Sequence, residues 1–315
     1  MIILGIESTA HTFGVGIVDD KGKVVANELD SYTSDSIGMI PNKIAEHHQA
    51  VAAKILEKAL QSAKMKMKDV DMIAYSAGPG LDPALWTGYN FAKDLAVTYK
   101  KKLIGVNHCC AHLSIGKMLH KLQDPCYLYV SGVNTQIIAY EGGKYRVVGE
   151  TLDIGLGNML DKFARDLGLG FPGGPRIEEL AKKGTFVELP YTVKGMDVSF
   201  SGILTKLRQL SGKGVSPEDL CFSLQENCFA MLTEVVERAM AHTEKKELLL
   251  VGGVGANKRF CEMLTIMCQE RGARFYNVPM ALVRDNGAMI AWEGYLRRKE
   301  SSDLEVKPHW RVDEV

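Results

Sequence analysis

His108 and His112 stand four residues apart in the run Asn107-His108-Cys109-Cys110-Ala111-His112, directly after an apolar, strand-like stretch. On a helix this spacing puts both imidazoles on one face, near enough to share a metal ion. A pair of ordinary helix-surface histidines satisfies the same spacing. A zinc protease would need glutamate as general base after the first histidine, and Cys109 stands there. Two ligands do not make a site, so further donors must come from elsewhere. Asp285, in Arg284-Asp285-Asn286-Gly287, is expected at a strand-to-helix junction, where its carboxylate either reaches a ligand or caps the helix. Tyr129, inside a strand-like run, offers a phenolate to a hard metal or simply a ring to the core.

Three turns could hold anions. Glu7-Ser8-Thr9 and Ser131-Gly132-Val133-Asn134-Thr135 each follow an apolar run and are rich in hydroxyls and small residues, so they read either as phosphate cradles or as plain hairpin turns. Gly252 to Asn257, with Gly253 within it, ends a strand and begins a helix, where amides and helix dipole favour an anion or a nucleotide edge. It is not G-x-G-x-x-G, and the acidic partner of a Rossmann site is missing. A fourth segment, Asp161 to Pro175, contains the turn Phe171-Pro172-Gly173-Gly174-Pro175, with Asp161 and Glu178 on the helices before and after it. Those carboxylates either hold ribose hydroxyls or face solvent.

The elements that must position these groups alternate between strand-like and helical patterns, as in α/β units. Ile2 to Ile6, a polar turn, and alternating Phe13, Val15 and Ile17 read as a hairpin, and helical spacing runs from Pro41 to about Ala63. Strands are expected at Met72 to Ser76 and Leu103 to Val106, with a helix from Leu85 to Tyr99 between them. Asp19-Asp20-Lys21-Gly22 turns the first hairpin back, and the order strand, polar turn, strand, glycine or aspartate turn, strand recurs from Tyr127 to Val148, which points to a duplicated unit. Helices are expected over 156–167, 175–183, 199–210 and 217–242, then a strand from Glu247 to Val251. The predicted architecture is α/β, two-lobed and duplicated, of the actin, Hsp70 and sugar-kinase type, with a nucleotide cleft between the lobes. Residues 1–120 form the first lobe and 121–315 the second, the last helix being free to return to the first.

The whole-chain properties narrow the function classes. The 315 residues suffice for two cores, and 38 basic residues balance 38 acidic ones, which argues against a strong nonspecific grip on nucleic acid. Local runs such as Lys100 to Lys102 read most simply as solvated faces. The opening MIILGIESTAHT does not read as a signal peptide, no apolar run is long enough to span a membrane, and seven cysteines cannot all pair within the chain. A cytoplasmic protein is expected.

Taken together, GIESTAHT, the histidine pair, YVSGVNTQ, DKFARDLGLGFPGGP, MDVSFSGILT, GGVGAN and DNGAMIA, in this order over nearly the whole chain, resemble the tRNA threonylcarbamoyladenosine transferases, the TsaD family. Cys109 and the ending Trp310 to Val315 look more like the archaeal and eukaryotic branch, the catalytic subunit of the KEOPS complex. The resemblance implies a metal-dependent acyltransferase. It would move the threonylcarbamoyl group of threonylcarbamoyl-AMP to the N6 amine of adenosine 37, just 3′ of the anticodon, in tRNAs reading codons that begin with A. AMP is released. It further implies one divalent metal, Fe2+ or Zn2+, held by His108, His112 and Asp285 with Tyr129 contributing. Tyr129, Val130, Ser131, Gly132 and Val133 would meet the adenylate, and Asp161, Gly174, Glu178, Gly253 and Asn257 its ribose and adenine, in a cleft that ATP or ADP could also enter. Glu7 and Ser8 would act at the reacting end, Glu7 by orienting the amine or accepting its proton. Partners implied are tRNA, a small kinase-like ATPase subunit and other KEOPS subunits. Val133 departs from the family's usual SGGNTQ. The rival reading is an Hsp70-like regulatory subunit with no transferase chemistry of its own; such a switch has no use for imidazoles.

Overall fold

The computed structural model describes residues 1–33, 40–300 and 305–315. The chain forms two compact units, one built from Met1–Lys121 together with Arg284–Val315, the other from Leu122–Val283.

The first unit opens with the antiparallel strands β1 (Ile2–Glu7), β2 (Thr12–Asp19) and β3 (Val24–Ser31). Helix α1 (Pro41–Ala63) follows, with proline in its first turn, where the missing N–H costs nothing. Then come β4 (Met72–Gly78), α2 (Asp82–Tyr99), β5 (Lys102–Asn107) and α3 (His108–His120). β4 pairs in parallel with β1 on one side and β5 on the other, giving the order β3-β2-β1-β4-β5. Every residue of β4 is buried, as a central parallel strand requires.

The second unit repeats this plan. β6 (Cys126–Val130), β7 (Thr135–Glu141) and β8 (Lys144–Glu150) are antiparallel. Helices α4 (Leu156–Asp166) and α5 (Gly173–Ala181), the short ribbon of β9 (Val193–Lys194) and β10 (Asp197–Val198), and helices α6 (Ser201–Ser211) and α7 (Pro217–His242) lead to β11 (Glu247–Val251). After helix α8 (Lys258–Glu270), β12 (Arg274–Asn277) completes a sheet ordered β12-β11-β6-β7-β8. β11 runs parallel to both β6 and β12, so the two sheets share one connectivity: three antiparallel strands, then two parallel ones. That is the duplication the recurring hairpin pattern announced.

A short helix α9 (Met280–Val283) closes the second unit, and α10 (Gly287–Leu296) lies on β1 and β2 of the first. Glycines make this packing possible. A Cβ on Gly16 would fall 2.1 Å from the Ala288 amide nitrogen, and one on Gly5 would fall 2.2 Å from that of Ala291. Asp285 therefore sits between two helices, not at the expected strand-to-helix junction, because β12 ends at Asn277 and α9 intervenes. Among the described residues no helix is long and apolar enough to cross a membrane.

Candidate metal centre and adenylate segments

β5 delivers the chain to α3 at Asn107, whose side-chain oxygen accepts a hydrogen bond from the Cys110 amide and so caps the helix. His108 is the first helical residue and His112 lies one turn on, their ring centroids 4.7 Å apart and nearly perpendicular. The third group comes from far along the chain. Asn286, not Asp285, caps α10 by accepting from the Met289 amide, which leaves the Asp285 carboxylate for the histidines. Asp285 Oδ1 lies 3.2 Å from His112 Nε2 and 3.5 Å from His108 Nε2. One ligand atom from each of the three residues falls within 4.8 Å of the others.

Behind this cluster stands Glu7, at the end of β1 and 0% exposed. Its Oε1 accepts from the Thr9 amide at 2.7 Å and the Thr9 hydroxyl at 2.5 Å, and its Oε2 accepts from His108 Nδ1 at 2.9 Å. With its proton on Nδ1, His108 turns Nε2 toward Asp285. Burial alone would depress the His108 pKa, but the Glu7 and Asp285 carboxylates outweigh it and push it up to about 9. Burial lowers the pKa of His112. Asp285 is held below the usual carboxylate range: burial opposes this, and the charge of His108 and the hydrogen bond from His112 prevail.

Ser8 is placed otherwise than a reactive hydroxyl would need. Its amide donates to Ser76 Oγ, and its own Oγ is buried without a hydrogen-bond partner, against α2 where a Cβ on Gly88 would fall 1.9 Å away.

Two imidazoles and one carboxylate suit a first-row divalent ion. A catalytic zinc site takes such a donor set with a further position left open, and non-haem Fe(II) sites use two histidines and one carboxylate in the same way. Glu7 stands where an outer carboxylate would fix the tautomer of a histidine holding such an ion.

The remaining predicted residues lie in the second unit. Tyr129 is buried in β6, its hydroxyl 3.5 Å from Asn134 Nδ2, and Val130 is buried beside it. The Ser131–Asn134 turn is closed by Ser131 N to Asn134 O and Asn134 N to Ser131 Oγ. It is braced from below by the start of α4, where the Gly157 and Asn158 amides donate to the Ser131 and Gly132 carbonyls. Val133 is 72% exposed and does not adopt a positive φ, so the β-branched residue fits where the family usually has glycine.

Asp161 Oδ1 accepts from the Gly173 amide, which fixes the turn into α5 just before Gly174. Glu178 Oε1 accepts from the Lys258 amide, and Asn257 caps α8 at the Phe260 amide while its Nδ2 donates to Gln225 Oε1. Asp161 is thus tied to the start of α5, which carries Gly174 and Glu178, and Glu178 to the start of α8 beside Asn257, while Gly253 has open space where a Cβ would be. Thr9 was read only as part of an anion-holding turn, not as the partner of Glu7, and Gln225, one polar position inside a long helix, has no local signal.

The doubled sheet with its helices is a fold of the actin, Hsp70 and sugar-kinase type. The fold matches full-length HypF in a phosphate- and nucleotide-bound form, with a TM-score of 0.64 at 12% identity over 96% of this chain and 56% of that one. It also matches the ROK hexokinase of Thermus thermophilus, with a TM-score of 0.50 at 15% identity over 96% and 100%. Residues 23–292 match the model of the TsaD family, tRNA N6-adenosine threonylcarbamoyltransferase, and the chain belongs to that family. It is 54% identical to the tRNA N6-adenosine threonylcarbamoyltransferase of Thermococcus kodakarensis over all of this chain and 98% of that protein. It is 49% identical to a probable bifunctional tRNA threonylcarbamoyladenosine biosynthesis protein of Methanocaldococcus jannaschii, of which it covers 60%.

Proposed function

We propose that this transferase moves the threonylcarbamoyl group from threonylcarbamoyl-AMP to the N6 amine of the adenosine 3′ of the anticodon, at a centre built on His108, His112 and Asp285. The observation that carries the reading is the convergence of those three ligands, with Glu7 behind His108, in a chain of this family. In the transfer a nitrogen–carbon bond forms at the carbamoyl carbonyl, the bond from that carbon to the phosphate oxygen breaks, AMP departs with that electron pair, and the proton the amine loses passes to the departing phosphate or to water. A bound divalent ion, Fe2+ in our assignment with Zn2+ as the alternative, would polarise the carbonyl and offset departing phosphate charge.

The chain's own groups hold and orient. His108 and His112 present Nε2 atoms, and Asp285 adds a carboxylate kept ionised by its neighbours. We assign Glu7 to holding His108 in place of accepting the amine proton, since it is fully buried with both oxygens engaged. Asp161, Glu178 and Asn257 are assigned to the ribose and adenine, Gly174 and Gly253 to close backbone approach, and Tyr129 to Val133 to the rest of the adenylate. Partners are assigned by the same reading: tRNA, and a separate subunit supplying what the longer Methanocaldococcus relative carries in its additional length. We place the reaction in the cytoplasm, within a KEOPS-type assembly.

The deciding experiment follows labelled threonylcarbamoyl from its adenylate to unmodified tRNA, with partner subunits present, for wild type and His112→Ala. Product from wild type alone is expected. Equal product from both would remove the metal centre from the mechanism, and none from either would favour a regulatory subunit.

A further inference from the structure

Residues 305–315 contain no strand or α-helix, yet they are tied down along their length. The Lys307 amide donates to the Ala77 carbonyl, the Tyr75 hydroxyl to the Glu305 carbonyl and the Gly80 amide to the Pro308 carbonyl. Lys307 O lies so close to Gly78 that a Cβ there would fall 1.8 Å from it. Trp310 packs on the core of the first unit, and Val312 is 2% exposed.

Two chains of contact lead from this segment to one residue. In the first, the fully buried Asn107 donates through Nδ2 to the Trp310 carbonyl at 3.1 Å and the Arg311 carbonyl at 3.3 Å, while its Oδ1 caps α3. His108 is the next residue, so the backbone that carries its imidazole is pinned by the segment. In the second, Pro308 holds Gly80, and the neighbouring Leu81 amide donates to the Thr9 carbonyl. Thr9 in turn grips Glu7, and Glu7 grips His108 Nδ1. One route fixes the histidine from its backbone, the other from its ring.

We propose that Asn107 and residues 305–315 are positioning elements for His108, setting both the entry of α3 and the tautomer-fixing bond to Glu7. The inference rests on the metal-centre reading for its consequence, but its geometric content stands in the metal-free protein. The hydrogen bonds of the segment reach His108 through Asn107 on one side and, by way of Gly80 and Leu81, through Thr9 on the other.

The test uses the full chain and three variants. Asn107→Ser keeps an oxygen that can cap α3 while removing the donors to the segment. Val312→Asp places a carboxylate in an apolar seat, loosening the segment without altering α3 or the ligands. His309→Ala, at an exposed position of the segment, is the control. Co2+ is the probe, its affinity taken by titration and its coordination by visible absorption. Exchange of the His108 Nδ1 proton and of the Cys110 amide is followed by NMR without metal.

Asn107→Ser and Val312→Asp should each weaken Co2+ binding by about 10-fold or more, the range for lost support behind a ligating histidine, and speed both exchanges. His309→Ala should change neither. Wild-type exchange rates and affinity in both variants would overturn the proposal. Faster exchange with no Co2+ binding even in wild type would uphold the positioning role and overturn the metal reading instead.

Discussion

Glu7 Oε2 accepts a hydrogen bond from Nδ1 of His108 at 2.9 Å, and the carboxylate that does so is sealed from solvent. A carboxylate in that position has one strong effect: it decides which nitrogen of the ring faces Asp285.

Glu7→Gln keeps an oxygen able to accept from Nδ1 but removes the charge. Metal affinity should fall by about 10- to 100-fold, and transfer should recover when metal is raised to saturation. A kcat that stays depressed at saturating metal, measured in single-turnover transfer, would return the amine proton to Glu7.

Metal should stabilise the protein by mass action. At a free Co2+ concentration of 100 times Kd the gain is about 2.7 kcal/mol, readable as a rise in Tm. Asp285→Asn should abolish most of that rise. The three-ligand site is refuted if the variant shifts as far as wild type.

His48 gives a pH dependence of known sign. The side chain is 0% exposed on α1, its Nε2 donates to the Ala10 carbonyl at 2.8 Å, and burial lowers its pKa from 6.5 to about 4. The unfolded chain therefore binds the proton more readily, so the contribution is complete above pH 6.5 and is lost as pH falls toward 4. By pH 5 it should cost about 2 kcal/mol of stability. Urea unfolding at pH 7.5 and 5 should show that loss shrinking in His48→Gln; an undiminished loss would place its source elsewhere.

Gly16→Ala tests the seat of α10. Because the added carbon meets backbone at 2.1 Å, β2 and the helix must part, at a cost of about 3 kcal/mol or more. Asp285 should shift with the helix, so Co2+ affinity should drop along with Tm. A variant as stable as wild type contradicts the packing described.

The adenylate assignment separates from the metal assignment in Glu178→Ala. Removing the acceptor of the Lys258 amide should weaken AMP binding several-fold by calorimetry while leaving Co2+ affinity unchanged. Loss of both together would mean that the residue acts on the fold at large.

Much of this was legible in the sequence because the signals are local. The i, i+4 histidines and proline in the first turn of α1 each act within one or two turns, and the repeated hairpins exposed the duplication. The strand β3 was legible only as the third member of the repeat, after the Asp19–Gly22 turn, and without bounds: its mix of Val24, Asn27, Glu28 and Asp30 is that of a half-solvated edge, which lacks a strong apolar period. Glu7 was found, but its orientation was not, since only folding shows that Thr9 and His108 occupy both of its oxygens. Asp285 was placed at the wrong kind of junction, because four helical residues at Met280–Val283 are too few to show a period.

The second unit is inserted in sequence between the two stretches of the first, and His112 and Asp285 are 173 residues apart. During synthesis the histidines therefore leave the ribosome long before their carboxylate partner, and the seats for α10 on Gly5 and Gly16 stay empty until the final stretch emerges. Under the metal-centre reading, a chain interrupted before Arg284 would carry both imidazoles without the Asp285 carboxylate, so the three groups could share an ion only once that later stretch had been made.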